Sequence, residues 1–256
     1  MVCALAPRPA AAQSVSPSAL TLSDAALLAA AAPLQQPPVA PPLGLLRSRP
    51  RTDVLGAVGD SFKLLAIEHG IRISFQEKTR KELAGPFWPD YQHSVRMPRQ
   101  WEDTDAWYVN YVGHPIHGAA AGYNWLDHGP DGDVPFGKSP RYWAARGRAT
   151  AWAAAYSLQF EIGPFSEASL GNVGKRPETT GWVDHVVTPV GGLGLMVAED
   201  ALDRYFVEWV ETRIHNRTLR ASMRMLLNPA RALSNGATGR APWHRAGRPI
   251  GWRQQP

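Results

Sequence analysis

Three stretches of this chain, roughly 104–126, 139–162 and 182–218, combine helical spacing of apolar residues with a high density of alanine and glycine. The runs Gly118-Ala119-Ala120-Ala121-Gly122 and Ala153-Ala154-Ala155, with Gly191, Gly192 and Gly194, offer almost no side-chain bulk. Small residues at helical spacing let backbones approach closely, so helices of this kind pack tightly against one another. The expected fold is all-α: a compact bundle of about four to five helices, rich in Ala and Gly. A helix over 54–68, which Gly70 stops, and a short one over 219–227, ended by Asn228-Pro229, complete it. Pro140 suits the start of the second stretch, while Pro189 kinks the third. The prolines between 85 and 98 read as a connector.

Outside the bundle the sequence changes character. Residues 1–12 resemble the end of a secretory signal peptide, with Ala10-Ala11-Ala12 as a small-residue cleavage site before Gln13. Six prolines between 33 and 50 mark residues 13–52 as a disordered Pro/Ala-rich linker, apart from a short helix expected at 24–31. The helical domain is expected over 53–230 and a basic tail over 231–256. Residues 205–256 hold nine arginines against Glu208 and Glu211, a local charge of +7 in a chain of net +5. An arginine-rich arm on a near-neutral body suits an anionic membrane surface or lipid. Nucleic acid is not expected, since no binding module is recognisable. Tryptophans near helix ends, Trp101, Trp107, Trp125, Trp143, Trp182 and Trp209, agree with a headgroup layer as well as with plugged bundle ends. The single Cys3 excludes a disulfide framework. No stretch has the eighteen or more uncharged apolar residues of a membrane-spanning helix.

The chemistry-bearing residues lie on the apolar helices. Asn110, His114 and His117 share an approximate helical face, which Pro115 disturbs. Asp103 and Asp105 precede that helix and read as caps. The second helix carries Ser157 and Glu161, and the third carries Asp184, Thr188 and Glu199. A carboxylate on an apolar helical face is costly to bury unless paired, so these groups are expected to meet. Three uses are open: a structural network fixing helix register, a proton-transfer site joining His114 to Glu161 or Asp184, and a metal centre with His114, His117, Glu161 and Asp184 as ligand types. His69, His93 and His128 read as surface residues. No phosphate loop, nucleophile elbow or dinucleotide-binding turn is present, and no organic cofactor is implied.

The order of motifs resembles a family of bacterial cell-envelope proteins of unknown function. The matching residues are Trp101, Asp103 and Asp105 (W-x-D-x-D) and Asn110, Gly113, His114, Pro115 and Gly118 (N-x-x-G-H-P-x-x-G). Glu161 through Asn172, and Asp184, Thr188, Pro189 and Gly192, follow. Glu199, Asp203 and Arg204, then Asn228, Pro229 and Arg231, end the pattern. The likeness spans about residues 95–235 and implies a helical domain in the envelope, with no activity attached. The expected protein is exported, periplasmic or membrane-associated, scaffolding or lipid-binding, with a mainly structural polar cluster. The alternative is a hydrolase of a lipid or cell-wall substrate, using His114 with Glu161 or Asp184.

Overall fold

The computed structural model describes residues 51–250 except 76, 84, 96–99, 104 and 171–180. The chain divides into units 1–47 and 48–256. The first unit lies outside the described residues, and with it the expected cleavage site and the helix at 24–31. Among the described residues the second unit is all-α without a strand, and one isolated bridge pairs Gln100 with Gly181.

The first helix, α1 (Val54–Phe75), begins where Asp53 Oδ1 accepts the Gly56 N–H at 2.9 Å. Gly70 does not stop it, contrary to the sequence expectation. A helix-interior glycine costs about 1 kcal/mol, and the buried contacts of Arg72, one half-turn further on, outweigh it. After α2 (Glu77–Glu82), the expected connector contains a helix, α3 (Phe87–Ser94). Its Pro89 falls in the first turn, where a missing N–H leaves no intrahelical bond unmade.

A π-helical turn, Val109–Gly113, feeds α4 (His114–Asp127), with the His114 N–H reaching back to Val109 O. The wider turn accommodates Pro115, whose ring disrupts regular α-helical bonding. Helix α5 (Pro140–Ile162) starts at Ser139, whose hydroxyl accepts the Tyr142 N–H at 3.1 Å. Helix α6 (Val183–Leu202) carries Pro189 inside it and ends sooner than the expected 218. A second π-turn (Asp203–Val207) and the short α7 (Glu208–Glu211) follow it. The chain then breaks, and Asn216 caps α8 (Arg217–Leu227) through the Leu219 N–H at 3.0 Å. Helix α9 (Pro229–Ala237) is the last.

Helices α4 and α6 form the most extensive pair, with α5 packed on both. Ala119, Ala120 and Ala121 from α4 and Ala145, Ala149 and Ala153 from α5 are buried among Tyr123, Tyr142, Phe160 and Met196. The small residues therefore do what their spacing implies. A Cβ on Gly118 would collide with the Thr188 carbonyl oxygen, and one on Gly192 would sit 2.7 Å from the Gly118 backbone. The helix backbones touch there.

The body continues past the boundary expected at 230, since α9 buries Ala230 and Ala237 against the core. The arginines read as a free basic arm are largely engaged by acids. Arg224 bonds Glu211 at 2.5 Å, Arg231 meets Asp200 at 3.2 Å, Arg240 meets Asp127 at 2.7 Å and Arg245 meets Asp203 at 3.1 Å. Arg248 reaches Glu211 at 2.8 Å, and Arg220 lies 3.7 Å from it. Glu211 is already counted in the +7 of this segment, whereas Asp127, Asp200 and Asp203 lie outside it and offset a further part, which charge counting along the segment does not reveal. Arg253 lies outside the described residues.

Candidate functional site

The expected meeting of polar groups occurs at the end of the bundle where α4 and α6 begin and α5 finishes. His114 Nε2 lies 3.1 Å from Asp184 Oδ1, and His114 Nδ1 is 3.0 Å from Thr188 Oγ1. One donor atom each from His114, Glu161 and Asp184 lies within 4.8 Å of the others. These residues are 2%, 3% and 5% exposed, so the site is sealed. Ser157 Oγ donates to the Asp184 backbone carbonyl at 3.3 Å, tying α5 to α6 beside the acids.

Other predicted members stand at varying distances from this centre. Asn110 is fully buried and its Nδ2 donates to Asp103 Oδ1 at 2.7 Å. His117 is part-buried and faces Glu68 Oε1 at 3.8 Å. Glu199 does not join them. Fifteen residues along α6, on the order of 20 Å away, it accepts the Ala230 N–H at 2.8 Å and the Arg231 N–H at 3.1 Å. It caps α9, where a carboxylate satisfies orphan donors and complements the helix dipole.

Several members were missed in the sequence. Glu68, His69 and Arg72 come from the part of α1 around Gly70, where the helix was expected to stop. Tyr156 donates to Glu68 Oε2 at 2.5 Å, while His69 bonds the Phe165 carbonyl at 2.9 Å and stacks on Phe160. His69 is half-buried, its ring held by Phe160 and the Phe165 carbonyl. Arg72 pairs with Glu167 and lies 3.6 Å from Asp105. Asp103 is buried and adds to the field at Glu161 and Asp184, and its Oδ1 accepts the Asp105 N–H at 3.1 Å and the Asn110 amide instead of a helix N–H. The recoverable signal was the Glu68/Arg72 pair four apart, which places both on one helical face.

Burial sets the electrostatics. It raises the Glu68 carboxyl to about 8, with Tyr156 and Arg72 pulling the other way. Burial also raises Glu161 and Asp184, and the neighbouring acids, Asp103 among them, add to the rise in both. The His114 imidazole is pushed down to about 3 by burial, with Arg72 adding to the shift. Burial thus favours the uncharged form of both the His114 ring and the Asp184 carboxyl.

These shifts fix a pH response. Between pH 4.5 and 8 folded Glu68 holds a proton that the unfolded chain releases, so its stabilisation, complete below 4.5, drains as pH rises toward 8. The lowered His114 works oppositely, its stabilisation being complete above 6.5 and lost as pH falls toward 3. From pH 6.5 to 8 the carboxyls dominate. Each such group contributes a slope of up to about 1.4 kcal/mol per pH unit. In chelator-containing buffer the melting temperature should fall across this window, and Glu68→Gln should flatten the fall. A melting temperature that rises between pH 6.5 and 8 would contradict the assignment.

A second polar network lies toward the other end of α6. There Asp200 accepts from Tyr142 at 2.8 Å, Arg146 Nε at 2.8 Å and Arg231 at 3.2 Å. It borders a cleft of about 540 Å³ also lined by Asp203, Arg240 and Arg245. A smaller apolar groove of about 170 Å³ lies between α1 and α5. Neither is lined by His114, Glu161 or Asp184. Comparison of the chain with protein-family models, curated proteins and solved structures gives no match.

Proposed function

We propose that this chain is a scaffolding or lipid-binding protein of the bacterial cell envelope, exported and resting on a membrane surface through α6. The observation that carries the reading is the inverted polarity of that helix. It buries Asp184, Thr188, Glu199 and Asp200, while its exposed positions are Val186, Val190, Gly194, Ala198 and Leu202, with Trp182 just before them. No exposed residue from 182 to 202 is charged. Water rewards the opposite arrangement, whereas an apolar phase on the outer side favours this one. Tyr205, Phe206 and Trp209 extend the apolar strip beyond the helix end. Aromatic residues at 182 and 209 then flank it over about 40 Å, counted at the helical rise. No helix among the described residues is long and apolar enough to cross a membrane.

The export signal at Ala10-Ala11-Ala12 and the family resemblance support the envelope address. The closed packing around His114, Glu161 and Asp184 supports a scaffold over the hydrolase, because a hydrolytic centre needs an open position for water and substrate.

Vesicle flotation tests this. Binding to neutral and anionic vesicles is expected to persist at high salt, because most arginines of the basic segment are paired with acids and the apolar strip is unscreened. Val186→Asp with Val190→Asp should weaken it at least tenfold, with the melting temperature little changed, since each buried Val contributes about 1.5–3 kcal/mol. Binding that salt abolishes, or that survives both substitutions intact, would refute the α6 reading.

A further inference from the structure

We propose that His114, Glu161 and Asp184 form a closed binding site for one divalent first-row transition cation, which fastens α4, α5 and α6 together. The site lies in the most acidic part of the interior. Among the described residues, Glu68 and Glu161 lie in the field of the Arg72 guanidinium, which pairs with Glu167 and lies 3.6 Å from Asp105, while Asp103 and Asp184 adjoin Glu161. Buried charge of one sign is costly unless matched by cations or removed by protons.

Independent of the charge count, the atoms themselves are unfilled. Glu161 Oε1 and Asp184 Oδ1 are buried and accept no hydrogen bond. One ligand atom each from His114, Glu161 and Asp184, on three different helices, lies within 4.8 Å of the others, and both carboxyl groups carry an oxygen without a donor. The 3.1 Å approach of His114 Nε2 to Asp184 Oδ1 is close to the spacing of two donors on a shared ion.

The surroundings orient the ligands as metal sites require. Thr188 Oγ1 engages His114 Nδ1 at 3.0 Å, which turns Nε2 to the acids, and ligating histidines characteristically hold their second nitrogen this way. Asn110 fixes Asp103, which adjoins both acids. One imidazole with two carboxylates suits Mn²⁺, Fe²⁺ or Zn²⁺, and the lack of thiolate disfavours Cu⁺. The sealed packing leaves no position for substrate, so the ion is structural. Its double charge offsets the Glu161 and Asp184 carboxylates together.

The test uses the full chain purified without chelator. Elemental analysis by mass spectrometry should find close to one equivalent of Mn, Fe or Zn, and refolding in chelator should lower the melting temperature by several degrees. Refolding with Co²⁺ should produce visible ligand-field bands, and Mn²⁺ or Zn²⁺ should restore the melting temperature. Glu161→Gln and Asp184→Asn should each lose the metal, and Thr188→Val should weaken it 10–100-fold. Protein that carries no metal, and whose melting temperature and spectrum ignore all three added ions, would show that protons alone neutralise the site. Full metal occupancy in Glu161→Gln and Asp184→Asn would place the ion elsewhere and equally overturn the proposal. The wild-type measurements decide the matter even if a variant fails to fold.

Discussion

Gly118→Ala is expected to destabilise the protein by about 2–4 kcal/mol, a large share of a single domain's stability. The added methyl meets backbone, the carbonyl of Thr188, and the opposing contact is backbone again, because Gly192 faces the main chain of Gly118 and Ala119. Neither partner has a rotamer to change, so the clash is relieved only by moving α4 away from α6. That separation would also pull His114 from Asp184 and Thr188, coupling the packing defect to the polar centre. The control is Gly194→Ala on the same helix, where nothing lies within 4 Å of the new methyl. Replacing a helix-interior glycine there should be neutral or stabilising by roughly 0.5–1 kcal/mol. Urea unfolding followed by circular dichroism measures both. Equal stability of Gly118→Ala and wild type would mean that the helices do not cross at this glycine.

His114→Ala is expected to cost a similar amount, about 2–4 kcal/mol, for a different reason. The imidazole is 2% exposed and sits between Asp184 and Thr188 while edging against Phe160. Its removal leaves a cavity and takes the hydrogen-bond partner from Thr188 and the imidazole neighbour from Asp184, with no solvent to replace them. A catalytic histidine in an accessible, strained pocket would behave oppositely, its loss leaving the melting temperature unchanged or raised. Thermal unfolding of wild type and His114→Ala separates these outcomes. A variant that melts with the wild type would sink the structural role, and the cation site with it.

Helix existence was legible in the sequence because hydrophobic periodicity and capping are local. Ser139-Pro140 opens α5 and Asn228-Pro229 separates α8 from α9, as their backbone preferences require. The close approach of helices was legible too, since Gly118 and Gly192 carry no side chain to prevent it. Local signals failed where distant contacts overrode them. Gly70 lies inside α1 because Arg72 has partners more than thirty residues away, and the proline-rich stretch near 89 yields a helix.

The sequence by itself determined that His114, Glu161 and Asp184 lie on apolar helices, so that they must be buried and must meet. Only the tertiary structure decided which other groups join them. Glu68, Arg72 and Asp103 enter because α1 and the turn before α4 fold over the same end, while Glu199, on the same helix as Asp184, is too far along it to take part. The arginines show the same division. Their number is a property of the chain, but whether each faces solvent depends on acids such as Asp127 and Asp200, brought near only by folding. Spacing along one helix fixes a face and a height, whereas pairing between elements is set by how the whole bundle closes, and no local pattern encodes that.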